Sequence, residues 1–243
     1  MTALAMLSDH TDSLGASGRY GGDGKSSDLQ WMTAGRGCVH GENFPLLSTS
    51  RPNTLKLFQI WLNLPAKSKM CEPGFEMYWA EQAVHIQGEK GASCEVAAGR
   101  LGEYAVSKSP PPCSWAADAA NDVGLFLIDL PPGGGKFELP QAEGAATNRM
   151  AYLVEGARSG DSGVTIGGKD IPSSYKGRAA IELSAGSPCV MENKHATEAA
   201  QVLVLQGRPI GEPVAQHGPF VMNTQQEIVQ AFADYRQSQF GIT

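Results

Sequence analysis

The clearest alternation of hydrophobic and polar positions lies at residues 55–64. One face of this run is wholly apolar and consists of Phe58, Ile60, Leu62 and Leu64. The opposite face carries the amides and the indole of Gln59, Trp61 and Asn63, together with Leu57. A period of two predicts a half-buried β-strand. An apolar face backed by an amide and indole stripe is typical of the wall of a β-barrel.

Shorter apolar runs predict further strands. They lie at residues 125–130, 150–154, 180–183 and 201–205. Turn-forming clusters separate them, and 29 glycines and 15 prolines suit many short strands joined by turns. The stiff segment 108–112, which ends in three prolines, favours a joint there. We therefore expect a mainly all-β chain with an N-terminal domain at 1–108 and a C-terminal domain at 109–243.

The end of the chain has the pattern of a helix instead. Thr224 followed by Glu227 is a capping-box pattern. The apolar stripe that follows consists of Ile228, Val229, Phe232 and Tyr235, and Gly241 is expected to end the helix. The stripe predicts that the helix packs on the β core.

Composition and charge narrow the class of protein. At 243 residues and 42% hydrophobic content the chain can bury a core, and no apolar stretch reaches membrane-spanning length. A net charge of −6 without any Lys/Arg run argues against direct nucleic-acid binding. Five widely spaced cysteines without a C-x-x-C pair favour reduced thiols in an intracellular protein, cytoplasmic or nuclear.

One short motif carries candidate metal chemistry. In an extended segment His40 and Glu42 would point to the same face and offer an imidazole and a carboxylate to one metal ion. Cys38 has the same parity, and its thiol is a minor alternative for a further ligand. From spacing alone, a surface histidine and glutamate in a loop is the better interpretation.

The surroundings of this motif are more specific. Residues 29–42, 57–67 and 69–70, and the C-terminal stretches 207–214 and 216–224, together resemble the pirin family over nearly the whole chain. The resemblance implies two tandem cupin-type β-barrel domains, and it implies a structural role for His217.

The resemblance also implies one iron(II) inside the N-terminal barrel, held by three histidines and one glutamate. The third histidine and the glutamate fall on His40 and Glu42. The first two belong to a His-x-His motif upstream of residues 12–15, which these 243 residues do not contain. We therefore expect an N-terminal barrel without its first strands, and His10 is a weak replacement ligand.

Three functions follow as alternatives. Pirin-like relatives open a flavonol such as quercetin with dioxygen, and Glu42 would then be the catalytic proton acceptor as well as a metal ligand. The second alternative is a redox-sensitive nuclear coregulator that binds a transcription-factor protein. The third is a shortened form without a functional metal site.

Overall fold

The computed structural model of the chain describes residues 2–7, 11–12, 28–40, 42–43, 49–50, 57–79, 82–157, 163–175 and 178–238. Strands dominate these residues and the single α-helix among them is Gln225–Ser238, so the mainly β class with a C-terminal helix is confirmed. In the same residues no helix combines the length and the apolar character needed to cross a membrane.

The strands of the first part of the chain are β1 (Thr2–Leu7), β2 (Thr11–Asp12), β3 (Asp28–Thr33), β4 (Glu42–Asn43), β5 (Leu57–Leu62), β6 (Gly74–Tyr78), β7 (Val84–Gln87), β8 (Ser93–Ala98), β9 (Arg100–Leu101) and β10 (Tyr104–Ala105). Those that follow are β11 (Gly124–Leu130), β12 (Gly135–Leu139), β13 (Asn148–Glu155), β14 (Val164–Ile166), β15 (Lys169–Asp170), β16 (Ala179–Leu183), β17 (Cys189–Asn193), β18 (Ala200–Gly207), β19 (Ala215–His217) and β20 (Phe220–Met222). All five runs predicted from the sequence are strands, namely β5, β11, β13, β16 and β18.

The chain divides into two compact units, each assembled from separate stretches of sequence. Unit 1 comprises Met1–Gln82, Lys108–Ala117 and Ile210–Thr243, and unit 2 comprises Ala83–Ser107 and Asp118–Pro209. A boundary between residues 108 and 109 would place Ala83–Ser107 and Ile210–Thr243 in the opposite halves. The domain boundary predicted between residues 108 and 109 stays a prediction.

Unit 1 is built on an antiparallel sheet with the strand order β5-β1-β3-β6. Strand β1 lies between β3 and β5, where Leu4 is opposite Trp31 on one side and Ile60 on the other. The backbone of the first residues of the chain therefore forms the interior of the sheet. In β5 the predicted alternation is present, because Phe58 and Ile60 are half-buried while Gln59 and Trp61 are exposed.

Unit 2 consists mainly of two antiparallel sheets with the strand orders β16-β13-β18-β11-β8-β7 and β12-β17-β14-β15. Both sheets contribute to one hydrophobic core, whose largest members include Phe126, Ile128 and Leu153 from the first sheet and Leu139, Ile166 and Met191 from the second. The side chain of Asn193 crosses this core and donates to the carbonyl oxygens of Leu130 and Glu198, at 2.9 Å each.

The C-terminal helix α1 (Gln225–Ser238) starts with the predicted capping box. The backbone N–H of Glu227 donates to Thr224 Oγ1 at 3.2 Å, and the N–H of Thr224 donates to Glu227 Oε2 at 2.7 Å. Ile228 is buried, but Val229 is 69% exposed, so the predicted stripe is wrong at Val229. Helical geometry turns the residue after Ile228 away by about 100°, toward solvent. Gly241 lies outside the described residues.

Candidate functional site

Strand β3 delivers the candidate metal segment, residues 34–40, through a tight turn. Gly35 has a φ of +51° and lies so close to Cys71 that an added Cβ would be 2.1 Å from the Cys71 carbonyl oxygen. The same oxygen accepts a hydrogen bond from the N–H of Arg36 at 2.9 Å, and the N–H of Gly37 donates to Ala34 O at 2.8 Å. The turn therefore requires glycine at position 35. The turn also sets the direction of the backbone after strand β3.

His40 lies at the end of this segment and is half-buried. Its Nδ1 atom is shielded from solvent and has no hydrogen-bond partner among the described residues. A buried polar atom without a partner is costly, so such an atom in a native protein calls for an explanation. An imidazole nitrogen in this state is available as a metal ligand.

Glu42 lies two residues further on, in strand β4, opposite Asp12 of strand β2. Its side chain is outside the described part of the structure, so the joint geometry of His40 and Glu42 stays a prediction. His10 is outside the described residues. Among those that are described, no group of three or more His, Cys, Asp and Glu side chains could hold a metal ion.

The thiol of Cys38 contacts another sulfur atom, the thioether of Met32. Cys38 Sγ donates to the thioether of Met32 at 3.7 Å. Burial raises the pKa of the Cys38 thiol above its ordinary value, so it stays protonated at neutral pH. The alternative that Cys38 completes the site stays a prediction.

A cavity of about 690 Å³ lies beside the segment that ends at His40. Its walls come from residues 32–40 and Met70, from β20 and from helix α1. Apolar side chains dominate the lining, among them Met32, Met70, Phe220, Phe232 and Tyr235. Polar groups are few and include Arg36, His40 and Glu227. The volume and the mainly apolar lining are those of a small-molecule site.

The contribution of helix α1 to this cavity was not predicted from the sequence. Phe232 packs edge-on against Phe220 with ring centroids 4.8 Å apart, and against His217 at 5.5 Å. These contacts support the structural role expected for His217. The stretch 216–224 was the available signal, since it suggested a fixed structure just before the helix.

Charged groups surround the start of the helix. Glu227 Oε2 accepts from the N–H groups of Asn223 and Thr224 and from Thr224 Oγ1, and the hydrogen bonds to Thr224 are the main cause that lowers the pKa of Glu227. Lys69 is 3% exposed, and its ammonium donates to Asn63 Oδ1 at 2.7 Å and to Leu64 O at 2.8 Å. Burial lowers the pKa of Lys69, and the charge of Glu227 opposes that shift. Glu227 thus places a hydrogen-bonded carboxylate at one edge of the cavity.

Comparison with protein families gives matches in both parts of the chain. Residues 7–62 match the family described as Pirin, and residues 128–241 match the Pirin C-terminal cupin domain.

Individual proteins agree with these matches. A pirin-like protein of Caulobacter vibrioides is 32% identical over 231 residues, which cover 95% of this chain and 72% of that protein. The pirin of Homo sapiens is 33% identical over 234 residues, which cover 96% and 70%. A crystal structure of quercetin 2,3-dioxygenase from Acinetobacter baumannii superposes with a TM-score of 0.75 at 26% identity, over 99% of this chain and 76% of that one. The cupin-type fold expected from the sequence is confirmed.

Proposed function

The chain belongs to the pirin family of cupin proteins, and from this premise we propose that it is a metal-dependent dioxygenase of the quercetin 2,3-dioxygenase type. The observation that carries the proposal is His40 Nδ1, which is buried at the wall of an apolar cavity and has no partner in the part of the chain that the structure describes. The structural similarity to quercetin 2,3-dioxygenase supports it.

The donor atoms present fit iron(II). His40 Nδ1 needs a partner, and an imidazole with a carboxylate is the ligand chemistry that non-haem iron takes. In this proposal His40 and Glu42 are two of the metal ligands. The two further histidines of the family pattern are not among these 243 residues, so water or other donors would fill the remaining positions. Bound iron(II) would supply the chemistry with dioxygen that protein side chains lack.

The remaining tasks fall to the protein. The carboxylate of Glu42 would accept the proton of the flavonol hydroxyl as the substrate binds. The side chains of Met32, Met70 and Phe232 offer apolar surface to a flat aromatic substrate. The same surface would keep bulk water from the reacting carbon atoms.

The test separates metal binding from turnover. The full chain is loaded anaerobically with iron(II), freed of unbound metal and assayed for iron by elemental analysis. Quercetin is then added with dioxygen, and oxygen uptake is followed with an electrode. The dioxygenase proposal requires near-stoichiometric iron and oxygen uptake that depends on quercetin.

His40→Ala should lower the retained iron by at least about tenfold, because it removes one of the two ligands that the proposal names. His85→Ala is the matched control, since His85 is an exposed histidine of unit 2 and should leave iron content and turnover unchanged. Stoichiometric iron without any quercetin-dependent oxygen uptake would refute the dioxygenase proposal. Failure to retain iron would favour the alternative of a form without a functional metal site.

The other expectations from the resemblance stay predictions. A transcription-factor partner and a cytoplasmic or nuclear location are not part of what the relatives' names describe. Capture of a partner by the iron-loaded chain but not by the metal-free chain would support the coregulator role.

A further inference from the structure

Arg149, in strand β13 of unit 2, has hydrogen-bond donors that the described protein atoms do not use. The residue is 2% exposed, and its Nη1 donates to the carbonyl oxygen of Pro140 at 2.7 Å. Nε and Nη2 are shielded from solvent and have no hydrogen-bond partner in the part of the chain that the structure describes. These two nitrogens form the edge of a guanidinium that binds an oxyanion through two parallel hydrogen bonds. A buried charge with this edge unpaired is costly and calls for a partner.

A buried acceptor without a partner lies beside Arg149. Gln206 is directly opposite Arg149 in the pairing of β13 with β18, so the two side chains share a face of the sheet with Cβ atoms about 5 Å apart. Gln206 Nε2 donates to Asp122 Oδ1 at 2.8 Å, which identifies Oε1 as the amide oxygen. Oε1 is buried and accepts from none of the described residues. The group formed by Arg149 and Gln206 therefore offers two donors and one acceptor.

Strands β13 and β18 direct these two side chains toward the interior of unit 2. Ala151 has the parity of Arg149 and Val204 has the parity of Gln206, and both apolar residues belong to the hydrophobic core. Arg149 lies near the start of β13 and Gln206 near the end of β18, so the polar group is at one edge of that core. Pro140 also lines a cavity of about 650 Å³. Open space thus reaches a residue that contacts the guanidinium.

The carboxylate of Asp122 is already hydrogen-bonded to other groups. Its Oδ2 accepts from Thr147 Oγ1 at 2.6 Å and from the N–H of Gly144 at 3.2 Å, and its Oδ1 accepts from Gln206. These three donors stabilise the negative charge of Asp122 without Arg149. The positive charge of Arg149 is then the one that an added anion would compensate. Arg149, Gln206 and all of these contacts belong to unit 2, so the group is independent of the proposed metal ligands.

We propose that Arg149 and Gln206 bind a small oxyanion that carries a hydroxyl group of its own, with hydrogen phosphate as the simplest example. Two phosphate oxygens would accept from Nε and Nη2 of Arg149, and the P–OH group would donate to Gln206 Oε1. An α-hydroxy carboxylate such as lactate has the same combination of an anionic oxygen pair and a hydroxyl. Sulfate has the shape of phosphate but no proton at neutral pH, so one of its oxygens would face the acceptor Oε1.

The experiment measures anion binding to the full chain by isothermal titration calorimetry, near neutral pH and at constant ionic strength. Phosphate is compared with sulfate, and lactate is compared with acetate, which lacks the hydroxyl. In at least one pair the anion with the hydroxyl should bind at least about tenfold more tightly, because the other anion leaves a buried acceptor unpaired. The pair that shows the difference identifies the ligand as a phosphate or a hydroxy acid. Equal affinities within both pairs, or no binding of phosphate and lactate, would overturn the proposal.

Variants locate the binding site. Arg149→Lys keeps the charge but loses the planar pair of donors, so it should weaken binding at least about tenfold. Arg100→Lys is the matched control, because Arg100 is an exposed arginine of unit 2 and its replacement should leave binding unchanged. Unchanged binding by Arg149→Lys would contradict the assignment.

Deuterium exchange of the wild-type chain decides the question if Arg149→Lys does not fold, judged by circular dichroism. The anion that binds should slow exchange at the backbone amides of residues 141–151 and 202–207, which surround Arg149 and Gln206 in the sequence. Protection confined to other segments would place the anion elsewhere and refute the site.

Discussion

Replacing Gly35 with alanine tests how the candidate metal segment is held in place. The new Cβ would lie 2.1 Å from the Cys71 carbonyl oxygen, more than an ångström short of the 3.4 Å at which ordinary contact begins. Relief requires the carbonyl to move, which breaks its hydrogen bond with the N–H of Arg36. The loss of that bond and the forced backbone shift should cost about 2 kcal/mol.

The conformation of Gly35 adds a second cost. A φ of +51° is left-handed and costs an alanine about 1–2 kcal/mol. Gly211→Ala isolates this cost, because Gly211 has a φ of +74°, lies in unit 1 and has open space where its Cβ would be. We therefore expect Gly35→Ala to lose about 2 kcal/mol more than Gly211→Ala.

The assay is equilibrium unfolding in urea, followed by tryptophan fluorescence, for wild type and both variants. The free energy of unfolding is extrapolated to water and compared at similar slopes. Equal losses in the two variants, within about 0.5 kcal/mol, would show that the contact between Gly35 and Cys71 does not constrain the turn.

Three further predictions concern helix α1. Thr224→Ala removes the cap and should lower the free energy of unfolding by about 1 kcal/mol in the same urea assay, whereas an unchanged value would exclude the capping role. Ile228→Ala should cost about 2–5 kcal/mol because this side chain is buried, while Val229→Ala should stay within about 0.5 kcal/mol, and similar losses would contradict the burial described. The folded-state pKa of Glu227 is below the ordinary value of 4.5, so its contribution is complete above that pH and is lost as the pH falls through the folded value. Glu227→Gln should therefore flatten the acid side of the Tm against pH curve, and an unchanged acid side would count against this linkage.

Much of the fold was predictable from local sequence patterns. Strand β5 and helix α1 were predictable because alternation and a capping box are encoded in adjacent residues. Strand β1 was not, because the composition of Thr2–Leu7 is rich in Ala, Leu and Met, which have no strand preference. Its place between β3 and β5 depends on pairing with residues that are distant in the sequence, and a local pattern cannot predict such pairing.

The candidate site was predictable in part. The resemblance located His40, and its orientation relative to Glu42 stays a prediction because the Glu42 side chain lies outside the described part of the structure. The cavity was outside the reach of sequence reasoning, since one of its walls comes from a helix at the far end of the chain.

Amide exchange in helix α1 can report whether a ligand occupies the cavity. Its fourteen residues form one ladder of backbone amides, and Phe232 and Tyr235 line the cavity. A compound that contacts these rings binds only while the helix is docked, so it must suppress local opening of the helix. Deuterium exchange at the amides of Gln225–Ser238 would then register occupancy even for compounds that are never turned over, which opens a search for ligands that needs no knowledge of the reaction.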